Sequence, residues 1–184
     1  MIRTKQDYQY YLAQDASNGG FKNSLVNYLF NDTWKFLRLL RLSEYLMNTK
    51  TGLHWNLATI YIKLRLRAKG KKLGFSIPPN VFGPGLMLPH FGTIVVNKKA
   101  RIGANCKIHV CTNIGASFDS PDSVPLIGDN CYIGPGAKIF GCVTIANNVS
   151  IGANAVVNKS CKNENVNLIG VPAKEYPKNA VKCK

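Results

Sequence analysis

Acidic residues are scarce in this chain: 24 Lys and Arg stand against 9 Asp and Glu, leaving a formal net charge of +15 over 184 residues. Such a balance favours an anionic partner without naming one. Apolar runs are also short, and none approaches the ~20 residues of a membrane-spanning helix. The opening residues, Met1 to Tyr8, lack the apolar core and small-residue cleavage site of a signal peptide, so the expected location is the cytoplasm. None of the six cysteines forms a C-x-x-C pair, which removes the zinc-ribbon and thioredoxin-like motifs. No G-x-S-x-G elbow is present, so nothing supports an acyl-serine route. Histidines number only three, at positions 54, 90 and 109. What remains is a chain with 46% hydrophobic residues, enough for one globular domain with an appendage.

The residues that are plentiful recur with a period of six. From Val96 the blocks read VNKKAR, IGANCK, IHVCTN and IGASFD; from Ile127 they read IGDNCY, IGPGAK, IFGCVT, IANNVS, IGANAV and VNKSCK. A degenerate stretch from Lys162 precedes IGVPAK at Ile169. The first slot is always Ile or Val. The fifth is small (Ala100, Cys106, Thr112, Cys131, Ala137, Val143, Val149, Ala155, Cys161), with Phe118 the exception. One bulky and one small inward position per six residues describe a flat strand followed by a corner, and three such sides close a triangular coil whose layers stack at ~4.8 Å. Gly103, Gly115, Gly128, Gly134, Gly152, Asn130 and Asn154 suit corners that need positive φ. By the same register Cys106, Cys131 and Cys161 are buried packing residues, whereas Cys111 and Cys142 face outward.

Residues 1–74 lack this period. Asn31-Asp32-Thr33 predicts the cap of a helix over Trp34–Met47, and a second helix is expected over Leu53–Lys69, apolar at Leu57, Ile60, Tyr61, Leu64 and Leu66. Ten Lys and Arg but a single acid, Glu44, lie between Lys35 and Lys72. They form either a solvated helix face or a surface that meets anionic membrane or a lipid-linked sugar phosphate. No nucleic-acid motif accompanies them.

The repeat resembles that of the hexapeptide-repeat acyltransferases over residues 75–175. Gly83 to Val96, with His90 followed by Ile94-Val95-Val96, is similar to the segment that carries the catalytic histidine in the serine acetyltransferase branch. Gly170-Val171-Pro172-Ala173-Lys174 matches that family's terminal motif. The resemblance implies a mainly β protein, a left-handed parallel β-helix with an N-terminal α-helical region. It divides the chain into helical residues 1–74, the β-helix 75–175 and a tail 176–184. It also implies acetyl-CoA as co-substrate without a metal, and a homotrimer binding CoA between subunits near Gly134, Pro135, Ala137, Ala153, Ala155, Lys159 and Lys174.

Acetyl transfer to a hydroxyl needs a base, and His90 is the expected one. Strict register would turn it inward, but Pro89 and Gly92 break the strand, and an unpaired imidazole in an apolar coil is costly. His109 follows inward Ile108 and lies about one circuit beyond His90, so it is either a second acid/base in the same cleft or simply exposed. The interruption at 117–125 is a loop whose Asp119 and Asp122 are candidates to bind the acceptor. Three features depart from the serine enzymes. Pro89 replaces an Asp, the loop lacks an Arg-His pair, and only Ser76 or Asn80 stands where a carboxylate orients the histidine. The segment Trp34 to Tyr45 resembles a helical region of surface-polysaccharide relatives. The expected acceptor is therefore a sugar hydroxyl, free or lipid-linked, with serine O-acetylation as the alternative and a non-catalytic basic membrane- or nucleic-acid-binding module as the second.

Overall fold

The computed structural model describes residues 1–21 and 29–178. Among the described residues, α1 (Lys5–Gly19), α2 (Asp32–Thr49) and α3 (Leu53–Leu73) precede the repeat. Asn31 caps α2, its side-chain oxygen accepting from the Trp34 amide at 2.9 Å. The sequence reading had no counterpart for α1. That helix starts at a capping box, with Thr4 Oγ1 accepting from the Asp7 amide and Asp7 Oδ2 from the Thr4 amide. It buries only Tyr11 and Asp15, too few positions to register as a periodic apolar stripe.

Among the described residues thirteen short strands follow in three sheets. The first stacks β1 (Phe75–Ser76), β2 (Ile94–Val96), β5 (Thr112–Gly115), β8 (Lys138–Phe140) and β11 (Val156–Val157). The second stacks β3 (Arg101–Ile102), β6 (Leu126–Ile127) and β9 (Thr144–Ile145). The third runs from β4 (Lys107–Ile108) through β7 (Tyr132–Ile133), β10 (Ser150–Ile151) and β12 (Val166–Ile169) to β13 (Lys174–Pro177). All pairings are parallel except β12 with β13. The register makes the coil explicit: Ile133 pairs with Ile151 and Ile127 with Ile145, three blocks of six apart. Ile102 pairs with Ile127, so the loop adds seven residues to one circuit without disturbing the stack.

The first-slot residues from Val96 to Val157 are at most 4% exposed, and the fifth-slot residues at most 3%, again excepting Phe118, which projects fully into solvent. Buried β-branched side chains each contribute about 1.5–3 kcal/mol and lose little rotamer freedom in strands. Cys106, Cys131 and Cys161 are buried, Cys111 and Cys142 exposed. Burial pushes the Cys161 thiol up to about 11, as expected of a packing residue. Cys183 lies outside the described residues.

The corners need positive φ at the fourth slot, where Asn105, Asn130, Asn148, Asn154 and Cys111 adopt it. This corrects the role expected for Gly103, Gly115, Gly128, Gly134 and Gly152, none of which has positive φ. At Gly103, Gly128 and Gly134 a Cβ would lie 2.7–2.9 Å from backbone atoms of the next circuit. Those glycines permit close stacking. The end of the coil also differs from expectation, because β13 turns back antiparallel and runs to Pro177, covering the last circuit where a tail was expected from 176.

A buried ion cluster fastens helices to coil. Arg41 donates to both oxygens of Asp15, to Glu44 Oε2, and to the carbonyls of Phe82 and Gly83. Asp15 Oδ1 accepts the amides of Gly85 and Leu86, and Glu44 Oε1 that of Asn80. Arg41 is thus not part of the basic surface to which its sequence neighbours belong.

Candidate active site

His90 sits on the corner between the third and first sheets. Upstream, Met87 bridges to Lys107, and the Asp15–Arg41 cluster holds Phe82 to Leu86. Downstream, the Gly92 amide donates to Leu73 O at the end of α3 (2.8 Å), and Ile94 to Gly74 O. Gly92 (φ +149°) passes tightly here: a Cβ would lie 2.9 Å from Val110 Cγ1, and one on Gly74 would lie 2.8 Å from Gly92 itself. The chain on both sides of His90 is therefore fixed while the side chain is exposed, so it does not take the inward position of strict register.

One circuit on, His109 occupies the same corner. Its amide donates to Ile133 O, and its carbonyl accepts from Thr112 Oγ1 at 2.8 Å. Thr112 stands at a small inward slot otherwise filled by Ala, Cys or Val, and its hydroxyl pins the turn from inside. The ring centroids of His90 and His109 lie 6.0 Å apart, and Tyr132 flanks His109 at 5.1 Å. Lys107 reaches over the Tyr132 ring. His109 is half-buried and, among the described residues, its Nε2 is buried without a hydrogen-bond partner. Burial, then Lys107 and His90, hold its pKa below the ordinary value. The result is one exposed imidazole beside one that stays neutral, an arrangement suited to moving a proton.

The remaining candidates divide. Pro135, Ala153, Lys159 and Lys174 are exposed on the coil. Ala137 and Ala155 are fully buried, and the amides of Gly134, Ala137 and Ala155 donate to Ile151, Gly134 and Gly152 carbonyls. The coil's own hydrogen bonds, between circuits at Gly134 and within turns at Ala137 and Ala155, leave none of these three amides free for a cofactor. Asp119 is exposed; Asp122 pairs with Lys99 beyond β2, at the opposite end of that strand from His90. Asn80 is engaged with Asn48 and Glu44, so it does not orient His90; Ser76 lies on β1 opposite Val95. Tyr132 and Thr112 are site residues that no motif in the sequence marks. Each occupies a regular slot of the repeat, and only the stacking of circuits brings them to the histidines.

Residues 125–159 match the family model described as bacterial transferase hexapeptide (six repeats). A serine acetyltransferase of Buchnera aphidicola subsp. Acyrthosiphon pisum is 30% identical over 173 residues, 92% of this chain and 59% of that protein. The chain belongs to the hexapeptide-repeat acyltransferases. The serine acetyltransferase of Staphylococcus xylosus is 36% identical over 101 residues, covering 54% of this hexapeptide-repeat chain and 46% of the relative. A crystal structure of serine acetyltransferase from Brucella abortus strain S19, in complex with coenzyme A, superposes with a TM-score of 0.71 at 24% identity. That match covers 94% of this chain and 67% of the other, and supports the fold. The family member described here thus spans about half the length of the curated relatives it matches. These relatives overturn the expected sugar acceptor, since each is named for serine. The missing Asp, Arg and His show which charges are absent at particular positions. They do not fix the acceptor, whose charges can be met from other parts of a site.

Proposed function

We propose that the protein is an acetyl-CoA-dependent serine O-acetyltransferase. The 92% of its length that aligns with the Buchnera serine acetyltransferase carries this reading, and the coenzyme A complex of the Brucella protein supports the co-substrate. Acetyl-CoA supplies the acetyl group as a thioester. In the proposed reaction His90 takes the proton of the serine hydroxyl as its oxygen bonds to the thioester carbonyl carbon. The C–S bond then breaks and the proton passes from His90 to the departing sulfur. His109, neutral and adjacent, is proposed to help hold the His90 ring in place.

The fit of coenzyme A rests on the exposed Lys159 and Lys174, which have no ion-pair partner among the described residues and suit phosphate groups, with Pro135 and Ala153 along the coil surface. A left-handed coil, a trimer with the co-substrate between subunits, and a cytoplasmic setting belong to the same proposal. Release of free coenzyme A thiol from acetyl-CoA should require L-serine and largely vanish in His90→Ala. Absence of serine-dependent thiol release from the intact wild-type protein overturns the reading.

A further inference from the structure

Helix α3 has two apolar faces. One packs inward through Leu66, Gly70 and Leu73. The other carries Leu53, Leu57, Ile60, Tyr61 and Leu64, every one more than half exposed. At 100° per residue these five residues fall on one stripe directed away from the core, about 17 Å long at 1.5 Å per residue. The sequence reading placed four of them on an apolar helix face; the structure shows that this face has no counterpart among the described residues.

Cations flank the stripe on both sides. Lys63 and Arg67 lie along one edge and Arg65 and Lys72 along the other, all exposed. No Asp or Glu occurs anywhere between Glu44 and Asp119. Arg65 donates to the Tyr61 hydroxyl at 2.7 Å, joining an amphipathic ring to a charge at the stripe's edge. Beside that edge, between α2 and α3, is a cavity of about 370 Å³ where Arg38 and Arg65, with Lys35 and Lys69 that both pair with Asp32, surround Leu39 and Leu42. Cationic groups over an apolar floor match the head and upper chain of an anionic lipid.

We propose that α3 is an interfacial helix that lies in the headgroup plane of an anionic phospholipid bilayer, its stripe in the acyl boundary and its flanking cations against the phosphates. A second copy of the chain is the weaker occupant. Stripe-to-stripe pairing would set Lys63, Arg65, Arg67 and Lys72 of one copy against the same cations of the other, with no carboxylate on the helix to compensate. No helix is long and apolar enough to cross a membrane among the described residues, so attachment is peripheral.

The test is co-sedimentation of the full chain with vesicles of phosphatidylcholine containing about a quarter phosphatidylglycerol, against pure phosphatidylcholine. Binding should favour the anionic vesicles and weaken with salt. Each cation near the surface is worth about fivefold, so Lys63→Gln/Arg67→Gln should reduce binding by about 25-fold. Leu57→Ser/Ile60→Ser/Leu64→Ser should reduce it by at least about tenfold while thiol release from acetyl-CoA is unchanged. Leu57→Trp, which needs no loss of apolar surface, should shift its emission to the blue on anionic vesicles only. The proposal fails if wild type ignores anionic vesicles. It also fails if the serine triple variant binds as well as wild type, or if that variant lowers the solution mass of a stripe-dependent assembly.

Discussion

His109 lies one circuit of the coil beyond His90, ring to ring at 6.0 Å, yet only His109 is sunk far enough to bury a ring nitrogen. His90 follows Pro89 at an exposed corner, while the Thr112 hydroxyl, buried in the coil, donates to the His109 carbonyl. Two identical side chains thereby receive different environments, and different roles follow.

If the pair acts as a unit, its substitutions will not add. His90→Ala is expected to lower kcat at least about 100-fold. His109→Gln should cost less, and the double variant should be no slower than His90→Ala alone. Steady-state kinetics on variants with unchanged circular dichroism measures this. Additive losses would separate the two rings functionally.

The depressed pKa of His109 has a definite sign. The folded chain holds the neutral ring below the ordinary midpoint near 6.5, so stability associated with it is full above that pH and is lost as pH falls through the folded value. An NMR titration should place the His109 midpoint below that of a free histidine. Lys107→Gln removes one of the causes and should raise it. A midpoint unmoved by that substitution would leave burial and His90 as the causes.

Arg41→Met should be severe. It leaves Asp15 and Glu44 buried without their cation and frees the carbonyls of Phe82 and Gly83. Loss of one member of a buried ionic cluster costs about 3–5 kcal/mol. Urea unfolding should show the drop, with helices and coil losing their cooperative transition.

Gly134→Ala and Gly152→Ala separate the two uses of glycine in the repeat. At Gly134 a Cβ would meet Ile151 O at 2.7 Å, whereas at Gly152 the nearest atom is 3.4 Å away. The first should cost about 1–3 kcal/mol through forced separation of circuits. The second should stay within about 0.5 kcal/mol of wild type, as read by urea midpoints.

The coil was legible because its signal is local and repeated. Each block must present one bulky and one small side chain inward, so Ile102 to Val157 announce themselves without knowledge of their partners. The first-slot isoleucines, the fifth-slot cysteines and the cap at Asn31 were therefore readable from residue type and spacing. The site was partly legible: His90 stood out as a polar residue where the repeat begins, but Tyr132 and Thr112 wear the repeat's ordinary pattern.

Three things waited for the tertiary structure. Burial of Arg41 depends on Asp15 on another helix and on carbonyls of the coil, contacts separated by 26 to 42 residues that no local pattern encodes. The role of the second-slot glycines depends on backbone approach between circuits, which residue identity alone could not separate from positive φ. The meeting of His90 and His109 depends on how many residues one circuit takes at that corner. Sequence determines what repeats, since periodicity is a property of neighbours along the chain. Which side chains meet across circuits, and which apolar stripe stays uncovered on α3, is decided only when distant segments pack.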